Sequence, residues 1–228
     1  STEEHLLRGT LAHAFFEAIG RGMDAEKAKL LVMEAFERIQ DVPQWQLRFK
    51  LDEFSTLLDR AQEWARQSEV NQELAGVEIP VGVRVSEEVR IGGYMDRLLR
   101  DEEGNYLVVD LKTGRSKPAK KEGEDHVQLM TYQLALAHGA FDGHQVHDGE
   151  GMPRQGGVLV YPGATTKKIG ELWQSDKSPE ALEEFAALLP PLVEEMRGPR
   201  ITARTNKDCD KCPIRSICPV QEEGRMTT

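Results

Sequence analysis

The feature that most constrains the fold is a pair of apolar segments joined by a polar turn, each with an acidic side chain near one end. It reads GGYMDRLLRDEEGNYLVVDLKTG over residues 92–114. Side chains alternate between the faces of a strand, so Asp110 and Lys112 share a face, and Asp96 lies on the neighbouring strand. Charged groups are costly to bury unless they are paired or bind a metal ion. The segment therefore predicts a charged site at the buried end of a hairpin.

Two carboxylates that meet at such a place repel each other unless a cation lies between them. Hard oxygen ligands suit Mg²⁺ or Mn²⁺, and the carbonyl of Leu111 can add another oxygen. Lys112 beside the cation can orient a water or stabilise negative charge, which gives a hydrolytic site for a phosphodiester. The alternative is a charged surface hairpin in which Asp110 and Lys112 form an exposed ion pair.

Hydrophobic periodicity predicts helices before and after this hairpin. We expect helix over residues 5–39, with Thr10 capping the first run, Gly20 and Gly22 ending it, and Asp24 capping a second. The other expected elements, in chain order, are a helix over 51–68, antiparallel strands over 83–91, 92–100 and 105–111, a helix over 125–138, a strand over 156–163 paired with 168–173, and a helix over 179–197 that Pro190 and Pro191 kink or split.

Composition places few further limits on the protein. The chain has 228 residues and a formal net charge of −10, which argues against binding nucleic acid through bulk charge but allows a local basic groove. There is no apolar run long enough to span a membrane, and no signal peptide is visible. We expect one domain over 1–228, with a helical part over 1–75, a catalytic core over 76–175 and a C-terminal helix and cysteine tail over 176–228. Because no Met starts the chain, we expect a fragment of a longer protein.

Several motifs together resemble the RecB-type PD-(D/E)xK nucleases. They occur in order between Gly9 and Pro219, as GTLAH, GYMDR, VVDLKTG, QLMTY and CDKCPIRSICP. The resemblance implies an α/β, restriction-endonuclease-like core in which helices flank a central mixed sheet. It also implies that the N-terminal region is helical and that the tail carries cysteines.

The resemblance assigns roles to particular residues. It implies a Mg²⁺ or Mn²⁺ site formed by His13, Asp96, Asp110 and the carbonyl of Leu111. Asp96, Asp110, Lys112, Gln128 and Tyr132 form the implied catalytic set, and Gln128 and Tyr132 share one helix face. Basic residues near the motifs could contact DNA phosphates or form a solvated loop, and the predicted contacts are Arg97, Arg115 and Lys117.

The three cysteines, Cys209, Cys212 and Cys218, lie within ten residues of one another. An odd, tightly spaced set is typical of metal ligands rather than of disulfides. The resemblance implies a [4Fe–4S] cluster, which normally takes four cysteines. It places the fourth upstream of the GTLAH helix, where this sequence has none, so we expect the cluster in the full-length protein. A zinc site with a borrowed ligand, or three free thiols in this fragment, are the alternatives.

Within the family, the sequence resembles the C-terminal nuclease domain of actinobacterial AdnA/AdnB-type, AddB-related helicase–nucleases, which follows a UvrD/Rep-like helicase. This implies a metal-dependent DNA nuclease in double-strand-break end resection and recombinational repair. The expected partners are DNA, a helicase domain in cis and a second helicase–nuclease subunit, with a cytoplasmic location at the nucleoid. The alternatives are a stand-alone RecB-family exonuclease with a trimmed N-terminus, a non-catalytic DNA-binding module and a related nuclease of CRISPR spacer acquisition.

Overall fold

The computed structural model describes residues 2–139, 151–199 and 202–225. The helices are α1 (Thr2–Gly20), α2 (Ala25–Arg38), α3 (Gln44–Ser68), α4 (Val127–Ala137), α5 (Pro179–Arg197) and α6 (Glu222–Arg225). The strands are β1 (Glu73–Arg84), β2 (Arg90–Arg100), β3 (Tyr106–Leu111), β4 (Arg154–Tyr161) and β5 (Gly170–Gln174). No helix in these ranges is both long and apolar enough to cross a membrane.

The five strands form one mixed sheet in the order β1-β2-β3-β4-β5. β1, β2 and β3 pair antiparallel, β4 runs parallel to β3, and β5 returns antiparallel to β4. A parallel neighbour requires a crossover connection, and α4 lies in the connection between β3 and β4. The expected α/β fold, with a central mixed sheet flanked by helices, is confirmed.

Helices cover both faces of the sheet. On one face, aromatic side chains of α1, α2 and α3, such as Phe15, Phe36 and Phe54, share a core with Val109 and Leu111 of β3. On the other face, α4 packs its apolar side chains against β1 to β4. Because β3 is buried on both faces, its sequence YLVVDL is almost continuously apolar.

Several helix and strand boundaries in the structure differ from the predicted ones. Thr10 lies inside α1, where its hydroxyl donates to the Leu6 carbonyl, while Asp24 caps α2 as expected. The first strand is Glu73–Arg84 rather than 83–91, because a turn separates it from β2. α5 continues through Pro190 and Pro191 as one helix instead of splitting there.

Contacts divide the chain into two compact units, Ser1–Ala186 and Ala187–Thr228. The first unit contains the sheet and helices α1 to α4. The second contains the cysteine segment, whose short 3-10 turns are Cys209–Lys211 and Arg215–Ile217. The division of the whole chain into one domain with three parts remains a prediction.

Candidate active site

The candidate site lies where β2 and β3 separate. Their ladder ends at the Arg97–Val109 pair, although β3 continues to Leu111. Beyond that pair, the side chain of Asp96 replaces the backbone of β2 as the partner of β3. Its Oδ2 accepts a 2.6 Å hydrogen bond from the Leu111 N–H. A carboxylate thus replaces a backbone partner at the end of the ladder and is fixed beside β3.

His13 approaches this carboxylate from α1. Its Nδ1 lies 3.0 Å from Asp96 Oδ1, and the helix is held there by buried Ala12, Phe15 and Phe16. Burial alone would lower the pKa of His13, but the hydrogen bond and the charge of Asp96 overcome it and raise that pKa. The imidazole and the carboxylate are therefore coupled.

Asp110 and Lys112 lie on the α4 side of β3 and contact each other directly. Lys112 Nζ is 2.7 Å from Asp110 Oδ2, and the Asp110 side chain is nearly fully buried while Lys112 is partly exposed. Burial and the nearby charge of Asp96 raise the pKa of Asp110, and Lys112 opposes this effect. Burial thus disfavours the charged form of Asp110, and the adjacent Lys112 favours it.

Gln128 and Tyr132 project from one face of α4 into the same group. The Gln128 amide accepts from Lys112 Nζ and donates to Asp110 Oδ1, both at 2.6 Å. The Tyr132 hydroxyl accepts from Gln128 at 2.9 Å and donates to the Tyr94 carbonyl at 2.7 Å. The helix face predicted from sequence therefore fixes both side chains of the Asp110–Lys112 pair.

The donor atoms suit a divalent cation. One ligand atom each from His13, Glu78 and Asp96 lies within 4.8 Å of the others, in a half-buried position. The two carboxylates suit Mg²⁺ or Mn²⁺, whereas imidazole is a ligand that transition metals accept more readily than Mg²⁺ does. The sequence reasoning missed Glu78, although it lies in an alternating Val77, Ile79, Val81 pattern that signals a strand.

The predicted DNA-contacting residues have different positions. Arg97 is only 1% exposed, with one guanidinium nitrogen paired to Glu69 and another donating to the Phe16 carbonyl. The structure therefore corrects the prediction that Arg97 contacts DNA, because its charge is enclosed beneath α1. Arg115 is exposed and pairs with Glu53, and the Lys117 ammonium donates to the Glu171 carbonyl.

Cys209, Cys212 and Cys218 are half-buried free thiols. The Cys209 sulfur accepts a hydrogen bond from the Asn206 N–H. In the described part of the chain, the three sulfurs do not gather within 4.8 Å of one another. They supply three of the four ligands that a cubane cluster takes, so an iron–sulfur role stays a prediction.

Comparison with known proteins identifies the superfamily to which this fold belongs. A family model described as "PD-(D/E)XK nuclease superfamily" matches residues 1–219, so the chain belongs to that superfamily. No curated protein matches it. Nineteen chains of solved structures match. One, described as "Crystal structure of SSO0001", is 17% identical, with a TM-score of 0.43 over 92% of this chain and 85% of that chain.

Proposed function

We propose that this chain is a Mg²⁺- or Mn²⁺-dependent DNA nuclease whose cation is held by His13, Asp96, Asp110 and the Leu111 carbonyl. The observation that carries the proposal is the joined hydrogen-bond network around Asp110, Lys112 and Gln128 at the end of β3. Membership of the nuclease superfamily supplies the reaction class, which is phosphodiester hydrolysis, and DNA as the substrate.

Each residue of the site has a separate role in the proposed reaction. A bound divalent cation would polarise the phosphate and lower the pKa of an attacking water. Lys112 presents its ammonium where negative charge develops, and its direction is fixed by a 2.6 Å hydrogen bond to Gln128 and a 2.7 Å ion pair with Asp110. Tyr132 fixes Gln128 in turn and ties α4 to β2 through the Tyr94 carbonyl. His13, whose Nδ1 is held by Asp96, would bind such a cation as a neutral imidazole.

The residues proposed to contact phosphate come directly after β3 in the chain. Arg8 of α1 donates a 2.6 Å hydrogen bond to the Thr113 carbonyl, which anchors the turn after Lys112. Arg115 and Lys117 come next and are exposed enough to meet a DNA backbone near the scissile bond. Such contacts position a strand without reading its sequence.

The finer biological role rests on the sequence motifs. We infer that the nuclease acts in end resection and recombinational repair, with a helicase domain in cis, a second helicase–nuclease subunit and a nucleoid location. The motifs TARTNKDCDKCPIRSICPVQ and HVQLMTYQLALAHG support this placement, and the three cysteines support a [4Fe–4S] cluster in the full-length protein. Purification of the protein from its native source tests this assignment. Isolation of a stable complex with a helicase would support the assignment, and isolation without one would contradict it.

Digestion of single-stranded DNA with Mg²⁺ or Mn²⁺ tests the catalytic proposal. We expect Asp110→Asn and Lys112→Ala each to lower the rate by roughly 10²- to 10³-fold, because each removes charge at the reacting phosphate. Asp59→Asn is the matched control, since Asp59 is an exposed carboxylate on α3 paired with Lys29. Equal cleavage by all four proteins would contradict the proposal, and metal-independent DNA binding without cleavage would favour a non-catalytic module.

A further inference from the structure

Glu78 and Asp96 occupy corresponding positions on neighbouring strands. Each lies between the Val77–Arg97 pair and the Ile79–Met95 pair of β1 and β2, and the register does not shift between those two pairs. Like charges in opposite positions on neighbouring strands repel each other and destabilise the pairing. The sheet therefore places a second carboxylate where it is unfavourable unless a positive charge is supplied.

The charge of Arg21, and that of His13 when protonated, offset this repulsion in part, but neither side chain hydrogen-bonds to the Glu78 carboxylate. Among the described residues it makes no hydrogen bond and no ion pair, and it is half-buried. Its φ of 46° makes it the one non-glycine residue with positive φ in the described ranges. A bulky side chain adopts that conformation at a cost, and it persists only where the surrounding structure imposes it.

The surroundings of Glu78 have the dimensions of a cation site. Its carboxylate, His13 and Asp96 each bring a ligand atom within 4.8 Å of the other two. Two ligands on opposite sides of one divalent cation stand about 4 to 5 Å apart. The three side chains also line a cavity of about 620 Å³, together with Glu17 and Thr113, through which a hydrated ion can enter.

We propose that Glu78 is an additional ligand of the catalytic divalent cation, on the α1 side of the site. The inference rests on the proposed function and extends it, because the ligands that the family resemblance implies come from α1, β2 and β3 only. With Glu78, β1 also contributes a ligand. One cation then contacts side chains or carbonyls of β1, β2 and β3 and offsets the repulsion between their carboxylates. The added carboxylate increases affinity for the ion and neutralises its charge further.

Manganese binding to the purified protein tests this proposal without relying on activity. We expect Glu78→Gln to weaken Mn²⁺ binding at least tenfold by calorimetry, while Glu17→Gln stays within twofold of wild type. Glu17 is the matched control, because it lines the same cavity but pairs with Arg21 on its own helix. Glu78→Asn provides a second variant, since Asn tolerates positive φ better than Glu or Gln.

Thermal unfolding separates a ligand from a structural residue. We expect Glu78→Gln to unfold at or above the wild-type midpoint without divalent cation, because it relieves repulsion, and to gain less on adding Mn²⁺. Wild-type affinity in both Glu78 variants, with loss in Asp96→Asn, would overturn the Glu78 inference and leave the nuclease proposal standing. Tight, Glu78-dependent binding without DNA cleavage would overturn the nuclease proposal alone.

Discussion

At the scale of single residues, β2 shows how a local break in alternation changes the role of a side chain. Met95 and Leu98 pack with α4, whereas the two residues between them contact α1, Asp96 through His13 and Arg97 through Phe16. The Arg97 guanidinium lies 4.1 Å from the centre of the Phe16 ring. Strict alternation along β2 would place Asp96 and Arg97 on opposite faces of the sheet. The burial of Arg97 beneath α1 could therefore not be recognised from the sequence.

Replacing Arg97 tests this correction. We expect Arg97→Ala to lower the free energy of unfolding by about 2 to 4 kcal/mol, because it removes a buried cation and leaves Glu69 and the Phe16 carbonyl without their partner. Urea denaturation measures the change. Arg115→Ala is the control, with an expected change within about 0.5 kcal/mol, since Arg115 is exposed. A stable Arg97→Ala variant that had lost DNA affinity would contradict this assignment.

The predicted site residues that the structure brings together share a simple geometry. Asp110 and Lys112 are two apart on a strand, and Gln128 and Tyr132 are four apart on a helix, so local periodicity alone places each pair on one face. Glu78 was missed because its role depends on the β1–β2 register and on a positive φ, and neither is encoded in the residue itself.

At the scale of secondary-structure elements, β5 positions the start of α4. The buried Gln174 side chain donates to the carbonyls of Gly123, Glu124 and His126 and accepts from Gln133. Glu124 in turn binds the Ser175 hydroxyl and the Lys177 ammonium, each at 2.7 Å. Because Gln128 is the second residue of α4 and binds Lys112, the end of β5 indirectly sets the direction of Lys112.

The Glu124 contacts predict a dependence of stability on pH. Hydrogen bonds from Lys177 and Ser175 lower the pKa of Glu124 from 4.5 to about 2. The folded state then binds this proton less tightly than the unfolded state, so the stabilisation is present above pH 4.5 and is lost as the pH falls towards 2. We expect the thermal midpoint of wild type to fall more steeply over this range than that of Glu124→Gln. Parallel curves would contradict the prediction, and salt should reduce the difference because Glu124 is exposed.

At the scale of the whole molecule, the two kinds of predicted metal chemistry belong to different units. The candidate cation ligands and catalytic residues all lie in Ser1–Ala186, and the three cysteines lie in Ala187–Thr228. The fold class and the order of elements were predictable because hydrophobic period changes sharply from helix to strand. The two-unit division was not, since no linker-like composition marks residue 187.

This separation predicts independent behaviour of the two units. We expect the triple variant Cys209→Ser, Cys212→Ser, Cys218→Ser to bind Mn²⁺ within twofold of wild type by calorimetry, because all the proposed ligands of that ion lie in the first unit. For the proposed [4Fe–4S] cluster, we expect the same variant to take up less iron than wild type on anaerobic reconstitution, measured by iron and sulfide analysis. Loss of Mn²⁺ affinity, or retention of iron, would contradict the respective half of the prediction.

The parallel pairing of β3 with β4 has a consequence for the living cell. The main chain at Lys112 is anchored by a 2.7 Å hydrogen bond to Val160, a residue synthesised 48 positions later. Contacts of such long sequence separation form late in folding, because the intervening loop must close first. We therefore expect a nascent chain to lack nuclease activity until β4 has been synthesised and has paired with β3.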